Sequence, residues 1–288
     1  MRITMLHHCT IGAIALVAAS AISIGGAAAF DGSSYPDLSG QWRRLPTPGI
    51  QGQPSFDPSK PWGRGQQAPL TPEYQIFFEA SLADQAAGGH GSQRGWSCRT
   101  SGMPLMMTLF EPMEVIVLPQ TTYIRIDQYN TARRIFTDRR DWPRDIEPSY
   151  IGYSIGKWLD EDGDGRFDVL EVETRGFKGP RTFDASGLPL HQDNRTIVKE
   201  RMYLDKAGIL HDQITVIDHA LTRPWTAVKN YRRNADPRPV WIEWVCAEGQ
   251  SHVAIGKENY YLSAEGLLMP ARKDQPPPDL RYFKQSRK

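Results

Sequence analysis

The chain has 288 residues, with 34 Lys plus Arg against 33 Asp plus Glu, 40% hydrophobic residues and three cysteines. That composition is globular, and the balanced charge excludes general electrostatic attraction to nucleic acid or to an anionic membrane surface. Residues 1–29 read as a secretory signal, with Arg2 at the start, an apolar run from Ile11 to Ile24, and the small-residue site Ala27-Ala28-Ala29 before Phe30. This places the mature chain in the periplasm or outside the cell, with no membrane attachment after cleavage. Its remaining length fits one β-rich domain or two small ones. Cys9 leaves with the signal, while Cys98 and Cys246 remain. In an oxidising compartment these two can join, closing a loop of roughly 150 residues worth about 4–5 kcal/mol. The other reading is a pair of buried thiols.

Residues 30–69 are rich in Pro, Gly and Ser and read as an extended lead-in, interrupted by Asp37-Leu38-Ser39-Gly40-Gln41-Trp42. Residues 70–89 carry the helix signals. Thr71 caps, Pro72 and Glu73 suit the first turn, Tyr74, Phe77, Phe78 and Leu82 recur at helical spacing, and Gly88-Gly89 stop it.

After Cys98 the apolar pattern changes to period two, and residues 90–269 read as a β-barrel domain. The strands expected are Glu114–Pro119, Thr122–Asp127, Ala132–Thr137, Tyr150–Leu159, Phe167–Thr174, Thr196–Asp205, Ile209–Asp218 and Trp225–Arg233, with Val240–Cys246 a candidate ninth. Lys206-Ala207-Gly208 is a strong hairpin turn. The fold class is therefore mainly β: an antiparallel meander of about eight strands closing into a barrel, with one N-terminal α-helix. Residues 270–288 form a polar C-terminal tail containing Pro276-Pro277-Pro278.

The most specific chemical signal is Asp160-Glu161-Asp162-Gly163-Asp164-Gly165-Arg166-Phe167-Asp168-Val169-Leu170-Glu171. It resembles the calcium loop of the EF-hand family position by position. The resemblance assigns Asp160, Asp162, Asp164, Asp168 and Glu171 as carboxylate ligands and Arg166 as a carbonyl ligand, with Gly165 at the sharp turn. Calcium, or a trivalent lanthanide, is the implied cofactor, and no organic cofactor is expected. The flanking residues favour strands over helices, so the loop reads as a clip in a hairpin. A solvated acidic turn is the plainer alternative.

Alternation also puts Val198, Glu200, Met202 and Leu204 on one face, and Leu210, Asp212, Ile214, Val216 and Asp218 on another. A carboxylate among aliphatic groups needs a partner or is held neutral, which suits acid/base chemistry. Glu200, Asp218, His191 and Arg134 are accordingly the candidate catalytic groups. The plainer reading pairs Glu200 with one of the nearby arginines as a buried bridge. Trp158, Trp225, Tyr153 and Tyr231 suit either the wall of an apolar cavity or ordinary barrel filling. No phosphate cradle, nucleophile elbow, zinc-protease or haem motif is present.

Gly40-Gln41-Trp42 resembles the Gly-x-Trp opening of lipocalin-like barrels. Arg134-Ile135-Phe136-Thr137-Asp138, Gly152-Tyr153-Ser154-Ile155-Gly156-Lys157-Trp158, Glu200-Arg201 and Thr222-Arg223-Pro224-Trp225 together resemble a widespread group of secreted bacterial proteins. That resemblance implies export and a β-rich fold and carries no reaction. Three functions are consistent with these features. The first is a barrel binding a small apolar or aromatic molecule. The second is a cofactor-independent hydratase, isomerase or lyase, and the third a calcium- or lanthanide-responsive module.

Overall fold

Period-two alternation closes on itself here. The computed structural model describes residues 30, 32–45, 68–87, 91–92, 100–128, 131–242, 252–255, 258–262 and 267–278. The expected signal (residues 1–29) and both Cys98 and Cys246, hence the disulfide, lie outside the described residues.

In chain order the elements are β1 (Gln41–Arg44), α1 (Pro72–Ala86), β2 (Met113–Leu118), β3 (Thr121–Ile126), β4 (Thr131–Phe136), β5 (Tyr153–Leu159) and β6 (Val169–Arg175). The short hairpin β7 (Arg181–Thr182) and β8 (Pro189–Leu190) comes next, then β9 (Ile197–Leu204), β10 (Ile209–Ile217) and β11 (Trp225–Arg233). Strands β1–β6 and β9–β11 form one closed barrel of nine strands, in which β1 pairs with both β2 and β11.

The barrel matches the expected architecture, with one strand more than the expected eight. A closed ring of strands can alternate in direction throughout only if the count is even. With nine, at least one neighbour pair must be parallel. That pair is β4–β5, joined through Ile135↔Ser154 and Phe136↔Ile155. Residues 137–152 carry the chain back along the barrel to make it so. The additional strand is β1, inside the expected lead-in. Its Trp42 is buried and donates its indole N–H to the Leu38 carbonyl at 2.9 Å.

Residues 240–242 carry no strand, and the rest of the candidate ninth strand lies outside the described residues. A separate three-stranded sheet forms from β12 (His252–Ile255), β13 (Glu258–Leu262) and β14 (Leu268–Pro270).

Helix α1 begins where its cap signals place it, with Thr71 Oγ1 accepting the Tyr74 N–H at 3.4 Å. Only part of its apolar stripe is used. Phe78 is buried, whereas Phe77 remains exposed.

Strand registers define two barrel ends. One gathers the β2–β3, β5–β6 and β9–β10 turns, including residues 160–168; we call it the acidic end. The other, the helix end, is closed by α1 against β8, by the 3-10 turn Leu105–Thr108 and by residues 176–196. Phe183, buried there, packs on Trp225 with ring centroids 4.6 Å apart.

Candidate functional site

The chain reverses between β5 and β6 through Gly163 and Gly165, at φ of 76° and 88°. A Cβ on either would meet nothing within 4 Å, so left-handed backbone rather than space is what selects glycine here. The reversal turns loop amides onto the aspartates. Asp160 accepts the N–H groups of Gly163 at 2.8 Å and Gly165 at 2.9 Å. Asp164 accepts Arg166 N–H at 2.8 Å, and Asp168 accepts Glu161 N–H at 2.9 Å.

Asp160, Asp162 and Asp168 thereby bring carboxylate oxygens within 4.8 Å of one another. Asp164 and Glu171 stand outside this group. Glu171 is already in β6, opposite Lys157, with its carboxylate 3.6 Å from Arg201. The reason is the flanking structure. In an EF-hand the twelfth residue opens a helix that swings its carboxylate back over the ion, whereas a strand sends it along the barrel wall. Glu161 has a structural role, binding Arg201 on β9 through both its oxygens, and this charge-assisted bond holds its carboxyl below the usual range.

The barrel interior is ionic at mid-height. Arg133 is fully buried and forks onto Glu200, with Nη1–Oε1 at 2.8 Å and Nη2–Oε2 at 2.5 Å. It also donates to Ser154 Oγ at 3.1 Å and Thr174 Oγ1 at 2.8 Å. Arg134, the expected candidate, points outward instead, over the rings of Tyr123 and Phe136 at 5.3 and 5.8 Å. Adjacent strand residues face opposite sides, so choosing between neighbouring arginines decides which one is interior.

Asp212 lies in the same interior, and both its oxygens are buried without a hydrogen-bond partner among the described residues. Burial, reinforced by repulsion from Glu200, pushes its carboxyl well above the ordinary range despite Arg133 and Lys229. Lys229 on β11 is also buried, and loss of water lowers its ammonium to about 8 against the pull of Asp184. Tyr231 donates its hydroxyl to the Met107 carbonyl, and burial raises its phenol well above 10.

Asp218 sits at the helix end as a clamp. It accepts His191 N–H at 2.8 Å, Ala220 N–H at 2.7 Å and Thr196 Oγ1–H at 2.5 Å. The four groups expected to perform acid/base chemistry therefore do not converge on one site, although Asp218 holds the His191 backbone. Glu200 is neutralised by Arg133, Asp218 is engaged by three donors, Arg134 is outside, and His191 lies on the capping loop. The plainer reading of Glu200, a buried bridge to an arginine, is what the geometry contains.

Sequence reasoning passes over Lys229 as an interior group, and places Tyr231 inside as an aromatic wall or filling residue, which its burial matches. A signal for Lys229 exists: Trp225, Ala227, Lys229 and Tyr231 share one face of β11.

Above the ionic layer, at the acidic end, the barrel turns apolar. Residues 32–38 cross this mouth, where Tyr35 packs on Trp158 and Phe167 with centroids 5.3 and 4.9 Å away. Phe167 N–H bonds the Ser34 carbonyl at 2.8 Å, tying this cover to the acidic loop. Beneath it lies a hollow of about 10 Å³ lined by Leu38, Val115, Leu170, Met202 and Leu210. That volume holds no more than a water molecule.

A scan against protein-family models gives no match to this chain, and no curated protein sequence matches it either.

Proposed function

We propose that this chain is an exported β-barrel module that binds a hard cation, calcium or a trivalent lanthanide, in its 160–168 loop. The observation that carries the reading is the convergence of Asp160, Asp162 and Asp168 on one exposed reversal. Calcium takes six to eight oxygen ligands, so three carboxylates leave room for loop carbonyls and water. Without the carboxylate of Glu171, affinity belongs at the weak end, roughly 0.1–1 mM. Because Phe167 is bonded to Ser34, an ion that fixes the loop also fixes the cover over the barrel mouth. Export rests on the signal-like residues 1–29, as does placement within a group of secreted bacterial barrels on the motifs given above.

Calorimetry of the full chain with calcium and lanthanum tests this, beside the Asp160→Ala/Asp162→Ala variant. Saturable one-to-one heat is expected in the wild type and none in the variant. At an ion concentration a hundredfold above Kd the folded state gains about 2.7 kcal/mol, read as a rise in melting temperature. Absence of both heat and melting shift at 10 mM ion sinks the assignment.

A second reading is favoured by the aromatic cover itself. Tyr35, Trp158 and Phe167 roof an apolar mouth, and a small apolar or aromatic molecule would enter by lifting residues 32–38. A fluorescent naphthalene sulfonate probe should then bind Tyr35→Ala more tightly than the wild type. Equal and negligible binding to both removes this reading.

A further inference from the structure

At the helix end, away from the acidic loop, three side chains with metal-ligating chemistry converge. His191, Asp193 and His219 each offer a donor atom within 4.8 Å of the other two. The Asp193 carboxylate lies between the imidazoles, with Oδ1 3.2 Å from His191 Nδ1 and Oδ2 3.2 Å from His219 Nδ1. The two rings stand edge to face with centroids 5.4 Å apart. We propose that His191, Asp193 and His219 form a binding site for a borderline divalent cation of the zinc class, with at least one coordination position open to solvent.

Donor chemistry separates this site from the acidic loop. Two imidazoles and one carboxylate suit zinc and its transition-metal neighbours, whereas calcium prefers oxygen alone. Distances agree. A tetrahedral ion with bonds near 2.0–2.1 Å keeps its ligands about 3.3 Å apart, and each imidazole lies 3.2 Å from one of the two Asp193 oxygens, within a small adjustment of that spacing. His191 Nδ1 also lies 3.1 Å from the Asp193 backbone nitrogen. This contact gives way when an ion binds the ring nitrogen.

The site is built on a rigid frame, which distinguishes it from a chance surface cluster. Asp218, buried, holds the backbone of His191 and of Ala220, the residue after His219. Arg181, also buried, donates to the carbonyls of His191 at 2.5 Å and Asp193 at 2.6 Å, and to Thr196 Oγ1 at 2.5 Å. Two buried residues thus fix the chain at all three ligands. Tyr74 of α1 adds a ring contact to His191, with centroids 5.8 Å apart. Three protein ligands with an open position is the arrangement of zinc centres that keep a water molecule.

Titration of chelator-stripped full-length protein with zinc, and separately with cobalt, tests the proposal. One equivalent of zinc at micromolar Kd is expected, unchanged in Asp160→Ala/Asp162→Ala. His219→Ala should weaken it at least tenfold; His219 is mostly solvent-exposed, so that variant folds normally. Asp193→Asn should do the same. Bound cobalt should show visible ligand-field bands without the near-ultraviolet thiolate charge transfer that Cys98 or Cys246 would produce. No uptake at 100 μM zinc, uptake indifferent to His219→Ala and Asp193→Asn, or a thiolate band would each overturn it.

Discussion

Replacing Arg133 by Met tests whether the barrel interior is held by one charge balance. The guanidinium satisfies both oxygens of Glu200 and donates to Ser154 and Thr174. Its removal does not orphan the two hydroxyls, because Ser154 Oγ and Thr174 Oγ1 lie 2.9 Å apart and bond each other. What it strands is Glu200, whose side chain has no exposure, in the same interior as Asp212. Breaking a buried ion pair from one side costs about 3–5 kcal/mol, a large part of the 5–15 kcal/mol that holds a typical domain together. Removing both partners is different: Arg133→Met/Glu200→Met takes two charges out of the core and should recover most of that loss. Urea denaturation at pH 7, with slopes compared to confirm two-state unfolding, measures all three proteins. An Arg133→Met loss below 1 kcal/mol, or a double variant no better than the single, would refute the reasoning.

Lys229 gives a pH signature. Its folded value of about 8 lies below the ordinary 10.5, so between those pH values the unfolded chain binds more protons and stability rises with pH. Relative to Lys229→Met, the wild type should gain about 3 kcal/mol from pH 8 to 10.5, and parallel curves would contradict this. Asp212 has the opposite sign. Its raised folded value favours the native state fully only below the ordinary carboxyl range, and that contribution fades as pH rises through the folded value. Asp212→Asn should therefore match the wild type near pH 4 and exceed it at pH 7; lower stability than wild type at pH 7 counts against the buried-carboxyl account. At Gly152, φ is 76° and an added Cβ would come within 2.6 Å of the Phe177 ring and 2.8 Å of the Arg175 carbonyl. Gly152→Ala should cost about 2–4 kcal/mol in urea denaturation, and a loss under 0.5 kcal/mol would show that the barrel yields there. Intact mass of exported protein should place the new N-terminus at Phe30, and a retained leader would remove the export proposal.

Much of the barrel is legible in the sequence because alternation is a local signal. The faces of β9 and β10 read from sequence are those the barrel buries, including Glu200 and Asp212. Closure is not local. Trp42 announces a barrel opening, but only pairing with Met113 and Arg233, residues far along the chain, makes Gln41–Arg44 a strand rather than part of a loose lead-in. The parallel β4–β5 junction is a consequence of that ninth strand and has no sequence mark of its own. At the candidate sites the limits are similar. The aspartate spacing locates the acidic loop, yet the fate of Glu171 depends on the element after the loop, and a strand there takes it to Arg201. His191 is visible as a loop histidine, whereas Asp193 beside it and His219, on a different turn, acquire meaning only through the fold.

Side-chain hydrogen bonds hold the loops at both ends of this barrel. A loop donor is useful only if its backbone is fixed, and surface loops lack the packing to fix it alone. The helix end solves this with Asp218 and Arg181, whose hydrogen bonds end on the backbone beside each candidate ligand. The acidic end does it with Arg201, which holds Glu161 to β9, and with Phe167 bonded to Ser34. The two ends thus differ in construction, buried clamps on backbone against a partly exposed ion pair, and in donor chemistry, nitrogen and oxygen against oxygen alone. Between them the Arg133–Glu200 pair lies with both side chains wholly buried, separating the two ends. Loss of calcium-class binding should accordingly leave zinc binding intact, and the reverse.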